Sequence, residues 1–173
     1  MALPQTDALA KQALKILAQE GWDSPKLDTL VDQANKTALI PLIVTFIDQQ
    51  AEQALDLAPD DTPYDRVFEA LMTRFEIMTP YRQGLQVLAE QCRHKPPLAL
   101  CLYRAKDQSI RRLLLFLNLP EKHAYKYFGT PALLAVYHLV FHRWLDDESA
   151  SLQCTMAMLN ATLQACKIGI LLA

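Results

Sequence analysis

Four of the ten prolines in this chain directly follow a serine or threonine, at Ser24-Pro25, Thr62-Pro63, Thr79-Pro80 and Thr130-Pro131. Each pair offers a hydroxyl acceptor for a helix N-cap and a preset φ for the first helical position, so each reads as a helix start. Only four glycines accompany them, too few for the tight turns of a hairpin-rich protein. The expected fold class is therefore all-α. With 173 residues, half of them apolar, the chain is long enough to build a core without disulfides or a metal. Cys92, Cys101, Cys154 and Cys166 form no CxxC pair and no disulfide framework. No charged-then-apolar leader opens the chain, which suits reduced thiols in a cytoplasmic protein. The longest apolar runs, such as LLLFL at 113–117, are far short of a bilayer span.

The first helix is expected from about Thr6 to Glu20, with Leu9, Ala10, Ala13, Leu14, Ile16 and Leu17 on one side and Gly21 at the left-handed C′ position. A short helix, SPKLDTLVDQA, follows, then a turn at Asn35 and Lys36. The β-branched run TALIPLIVTFI reads as a buried helix, because no other segment offers it a strand partner. Beyond the polar stretch 57–63, helices are expected over Pro63 to Met78, through Tyr81, Leu85, Leu88 and Cys92, and from Pro96 to about Leu119, where Asp107 and Arg111 stand one turn apart. EKHAYKYFG reads as a loose stretch before two final helices, making about nine in all.

Those last two helices are the most patterned. Leu133, Tyr137, Val140 and Trp144 form one stripe, and Leu134, His138, Phe141 and Leu145 form another beside it. In the final helix Leu152, Met156, Leu159, Leu163, Cys166 and Ile170 alternate steps of four and three, a heptad-like seam. Such wide apolar faces suit a subunit contact or a ligand cavity, with the core of a monomer as the plain alternative; on the first of these, Leu133, Val140, Leu152, Leu159, Leu163 and Cys166 are the expected homodimer interface.

This order of parts, a three-helix unit over 1–50 followed by longer helices over 51–173, resembles the TetR family of ligand-responsive repressors. It is more closely similar to the TetR-fold, lipid-binding accessory proteins of ubiquinone biosynthesis. The likeness is carried by Gly21-Trp22 after helix one, by Pro97, Arg104 and Asp107 in the long helix, and by Trp144, Leu145, Asp146, Asp147, Ser149 and Thr155. It implies a degenerate helix-turn-helix unit ahead of a ligand-binding and dimerisation domain. The implied ligand is a hydrophobic small molecule or lipid of the isoprenoid or acyl class, presented to a peripheral membrane or enzyme partner without catalysis. Its pocket would draw on Phe75, Met78, Leu102, Phe116, Tyr137, Phe141, Trp144 and Met156.

The alternative implied by the wider family is a transcriptional regulator that binds DNA through residues 24–46, with Lys26, Lys36 and Thr45 as contacts. Charge opposes it. Residues 1–50 hold four lysines, no arginine and six acids, a net of −2, the wrong sign for a phosphate backbone. The segment Ala38 to Phe46 offers only Thr45 as a polar side chain. Residues 80–126 carry a net of +6, which suits an anionic partner surface or a solvated face. His138, His142 and Asp146 recur every fourth residue, but no HExxH motif or cysteine in register accompanies them, so no metal or other cofactor is expected. No nucleophile motif, phosphate loop or catalytic carboxylate pair stands out, and an enzyme is not expected. Asp146, Asp147 and Glu148 read as the acidic approach to a helix capped by Ser149 or Ser151.

Overall fold

The computed structural model describes residues 3–31, 33–119 and 129–169, with side chains for all of these except 3–5, 33–35 and 166–169. Among them the chain is all-α, with no strand. The long helices are α1 (Leu3–Glu20), α3 (Leu39–Ala54), α4 (Pro63–Met78), α5 (Arg82–His94), α6 (Pro96–Phe116), α7 (Thr130–Leu145) and α8 (Gln153–Gly169), and the short α2 covers Pro25–Leu30. The loose stretch expected before α7 lies almost wholly outside the described residues.

Most starts and stops follow the local chemistry. Gly21 takes φ +82° and its N–H donates to the Leu17 carbonyl at 3.1 Å, ending α1. Ser24 Oγ accepts from the Lys26 amide at 3.2 Å, and Thr62 Oγ1 accepts from the Asp65 amide at 3.2 Å. Asp65 completes a capping box by accepting from the Thr62 amide. At the other two Ser/Thr-Pro pairs the threonine lies inside the helical turn and is not its N-cap residue. Thr79–Tyr81 forms a single 3₁₀ turn, and α7 begins at Thr130 itself, behind Gly129 with no side-chain cap. The second helix is shorter than the sequence suggests, because residues 33–38 tighten into a 3₁₀ segment before α3.

The chain forms two compact units. The first joins Met1–Gln49 with Met78–Lys106. Its core is the inner face of α1, with Ala10, Ala13, Leu14 and Leu17 at most 1% exposed, together with Trp22, Leu27, Ile40, Ile43 and Phe46. Helix α5 lies directly on α1. Gly84 permits that approach, since a Cβ there would stand 2.5 Å from the Leu14 carbonyl oxygen.

The second unit joins Gln50–Ile77 with Asp107–Ala173. The first stripe of α7, Leu133, Tyr137, Val140 and Trp144, is buried throughout, whereas of the second only Leu134 and Phe141 are buried, His138 being exposed and Leu145 half-buried. Helix α8 packs along α7. The expected seam is buried at Leu152, Leu159 and Leu163, but Thr155 stands inward in place of Met156, which turns outward. Thr155 can take the inward place because its hydroxyl has a buried carboxylate to bond.

Candidate ligand site

Helices α4 and α7 bring four aromatic rings together in the second unit. The Phe75 ring lies 5.6 Å from Tyr137, nearly parallel to it, and 6.0 Å from Trp144. Phe141 sits 6.1 Å from Tyr137 and 5.6 Å from Trp144. All four are at most 4% exposed. At the edge of this cluster Arg74 is equally buried; its Nε donates to the Tyr137 hydroxyl at 3.2 Å, and its guanidinium stands 5.2 Å from that ring's centre. A cation placed among rings is held by their negative faces as well as by hydrogen bonds. The arrangement is an apolar cluster with one buried polar margin.

This gathers only part of the pocket set read from the sequence. Phe75, Tyr137, Phe141 and Trp144 meet. Met78 and Leu102 belong to the first unit, and Phe116 and Met156 are 47% and 42% exposed, so those two are surface side chains and not cluster members. The expected interface set is mostly buried within the chain. Leu133, Val140, Leu152, Leu159 and Leu163 are each at most 5% exposed in the single chain. Cys166 has no described side chain.

The segment from Trp144 to Thr155 is built around Asp147, which is 2% exposed. One carboxylate oxygen accepts from the Ser149 amide at 3.1 Å and its hydroxyl at 2.6 Å; the other accepts from the Thr155 amide and hydroxyl, both at 2.7 Å. Burial alone would raise the carboxyl's pKa, but these bonds outweigh it and hold the group far below the usual carboxylate range. Ser149 Oγ in turn accepts from the Gln153 amide at 2.9 Å. Asp147 and Ser149 therefore cap α8 together across a turn in which Leu152 takes φ +51°. In this arrangement the acidic run is a helix-terminating device, with Asp146 and Glu148 left in solvent.

The three residues proposed for DNA contact are dispersed in role. Lys36 is turned inward: its ammonium pairs with Asp28 at 2.8 Å, donates to the Trp22 carbonyl at 2.9 Å and stands 5.8 Å from the Trp22 ring centre. Lys26 is paired with Glu20, and Thr45 is half-buried. A shallow groove of about 530 Å³ on the α1 surface is lined by Lys11, Lys15 and Lys26 with Glu20, Gln12, Gln19 and Ile16. It lies in the first unit, and its open surface is mainly apolar, formed by the stems of these long side chains.

Among the described residues no three His, Cys, Asp or Glu side chains gather as a metal site. Burial raises the thiol pKa of both Cys92 and Cys101, which disfavours the reactive thiolate. No described helix is long and apolar enough to cross a membrane. The chain matches no protein-family model and no curated protein at a significant level of similarity. The sequence reading missed Arg74, whose spacing on α4 is that of an apolar position beside Phe75. The signal was an arginine flanked by Leu71, Met72 and Phe75 on an otherwise amphipathic helix.

Proposed function

We infer that the chain is a TetR-like protein that holds a hydrophobic ligand, an isoprenoid or acyl lipid, in its second unit and presents it to a partner without chemical change. The observation that carries this reading is the Arg74–Tyr137 pair at the margin of the Phe75, Phe141 and Trp144 rings. Such a site suits a ligand with a long apolar body and a polar head that accepts hydrogen bonds. Each buried CH₂ of the body contributes about 0.8 kcal/mol, so the chain of a lipid supplies the affinity. The rings pack on one another, so a ligand enters by displacing ring contacts. A second copy would meet α7 and α8 on their open faces, which carry Leu139 and Met156.

The inward-turned Lys36 and the net negative first 50 residues weigh against the regulator alternative. Trp144 gives a direct test, because the chain's only other tryptophan, Trp22, lies in the first unit. In a Trp22→Phe variant, titration with a long-chain isoprenoid alcohol or a fatty acid should change Trp144 emission saturably. Emission that stays constant with both ligands would overturn the reading.

A further inference from the structure

Leu115, near the end of α6, is 81% exposed, the most exposed large apolar side chain among the described residues, and Phe116 beside it is 47% exposed. Leu113 and Leu114 are half-buried, while the inner side of the same turns is packed through Ile110 and Leu117. One turn earlier stand Arg111 and Arg112, both exposed. Side chains four residues apart share a helix face at about 5–6 Å between Cβ atoms, so Arg111 backs Leu115 and Arg112 backs Phe116. Arg111 is bonded to Asp107. Arg66 brings a third guanidinium to this helix end by donating to the Leu117 carbonyl at 3.5 Å. The helix thus ends in an apolar pair with cations one turn behind it.

We propose that this end of α6 is a docking surface for the face of an anionic phospholipid bilayer. Leucine and phenylalanine side chains of an interfacial segment enter the boundary between headgroups and acyl chains. Arginines beside them stay with the lipid phosphates, whose oxygens they bond in pairs. Both demands are met here within two turns of one helix. A second copy is the poorer occupant, because a two-fold contact sets a patch against itself. Arg111 and Arg112 would then face the same arginines, with only Asp107 to offset them. Docking of this kind does not require the proposed ligand, since Leu115 and Phe116 stand outside the aromatic cluster, and a chain that carries no lipid docks in the same way.

The test is co-sedimentation of the full chain with vesicles of phosphatidylcholine, with and without phosphatidylglycerol. The protein should bind the anionic vesicles, release as salt is raised, and bind the neutral ones poorly. Leu115→Ser should weaken binding about tenfold through loss of buried apolar area. Arg112→Gln should weaken it about fivefold, the share of one basic residue at an anionic surface. Helical circular dichroism should be unchanged in both. Leu139→Ser, which removes an exposed leucine of α7, should leave binding as it was. Absence of binding to anionic vesicles, equal binding to neutral ones, or full binding by Leu115→Ser would each overturn the proposal. So would loss of binding in Phe141→Ala with Leu115→Ser unaffected, which would trace retention to the aromatic cluster. A dimer that Leu115→Ser converts to monomer in light scattering would make a second copy the occupant and overturn it as well.

Discussion

Replacing Asp147 with alanine should be the most damaging single polar change in the second unit. The carboxylate is 2% exposed and, among its described partners, accepts from two backbone amides and two hydroxyls, those of Ser149 and Thr155. Loss of a helix-capping side chain costs about 1–2 kcal/mol. The Thr155 amide and hydroxyl, left buried without their acceptor, add about 1–3 kcal/mol. The Ser149 donors lie in a half-buried turn that water can reach, so they add little. The sum is about 3 kcal/mol, or about 6–12 °C in Tm for a chain of this size. Asp147→Asn keeps one carbonyl oxygen and should lose about half as much. Urea denaturation followed by circular dichroism measures both, with exposed Asp146→Ala as a control expected within about 0.5 kcal/mol of the parent. The folded carboxyl is held below its unfolded value of about 3.9. Its stabilisation is therefore complete above about pH 4 and is lost as pH falls toward the folded value. Asp147→Asn should be flatter in that acid window. If Asp147→Ala matched Asp146→Ala, or if Asp147→Asn kept the full acid slope, the reasoning about the buried cap would be wrong.

Three further outcomes are open to the same denaturation assay. Gly84→Ala, which by helix propensity alone would stabilise α5, should instead destabilise by about 2 kcal/mol, because its Cβ meets the Leu14 carbonyl oxygen at 2.5 Å; a gain in stability would refute the close α1–α5 contact. Lys36→Ala should cost about 1–2 kcal/mol through loss of the Asp28 pair and the Trp22 carbonyl bond. It should leave any weak DNA binding in a low-salt mobility shift unchanged, and a marked drop there would revive the regulator reading. Tyr137→Phe should cost about 1–2 kcal/mol, because Arg74 loses a buried acceptor, and a neutral result would mean that the guanidinium does not depend on it.

The parts of the fold legible in the sequence were those set by local chemistry. Ser24, Thr62 and Gly21 marked helix ends because caps and left-handed positions depend on one or two residues. The Asp107–Arg111 pair, now seen at 2.9 Å, followed from helical spacing alone. The α8 seam was legible at Leu152, Leu159 and Leu163, but not at one place, where apolarity alone favours Met156 over Thr155 for the core. The buried Asp147 carboxylate reverses that order, and a tertiary acceptor of this kind leaves no periodic trace. For the same reason Arg74 was overlooked and Lys36 was read as a surface cation. Periodicity reports which residues are apolar, and it is silent on which polar groups find buried partners. The apolar rows of α7 and α8 were legible as wide faces, but periodicity does not distinguish a row covered by the chain's own helix from one awaiting a second copy.

The claim that the second unit holds a lipid is tested most directly by mass spectrometry of an organic extract of the purified protein, against an extract of an unrelated protein purified in the same way. The account predicts an isoprenoid or acyl lipid near one equivalent per chain, reduced in Phe141→Ala and Trp144→Ala variants that remain folded. An extract no richer than the control, from protein that also fails to take up added isoprenoid alcohol or fatty acid, would contradict it.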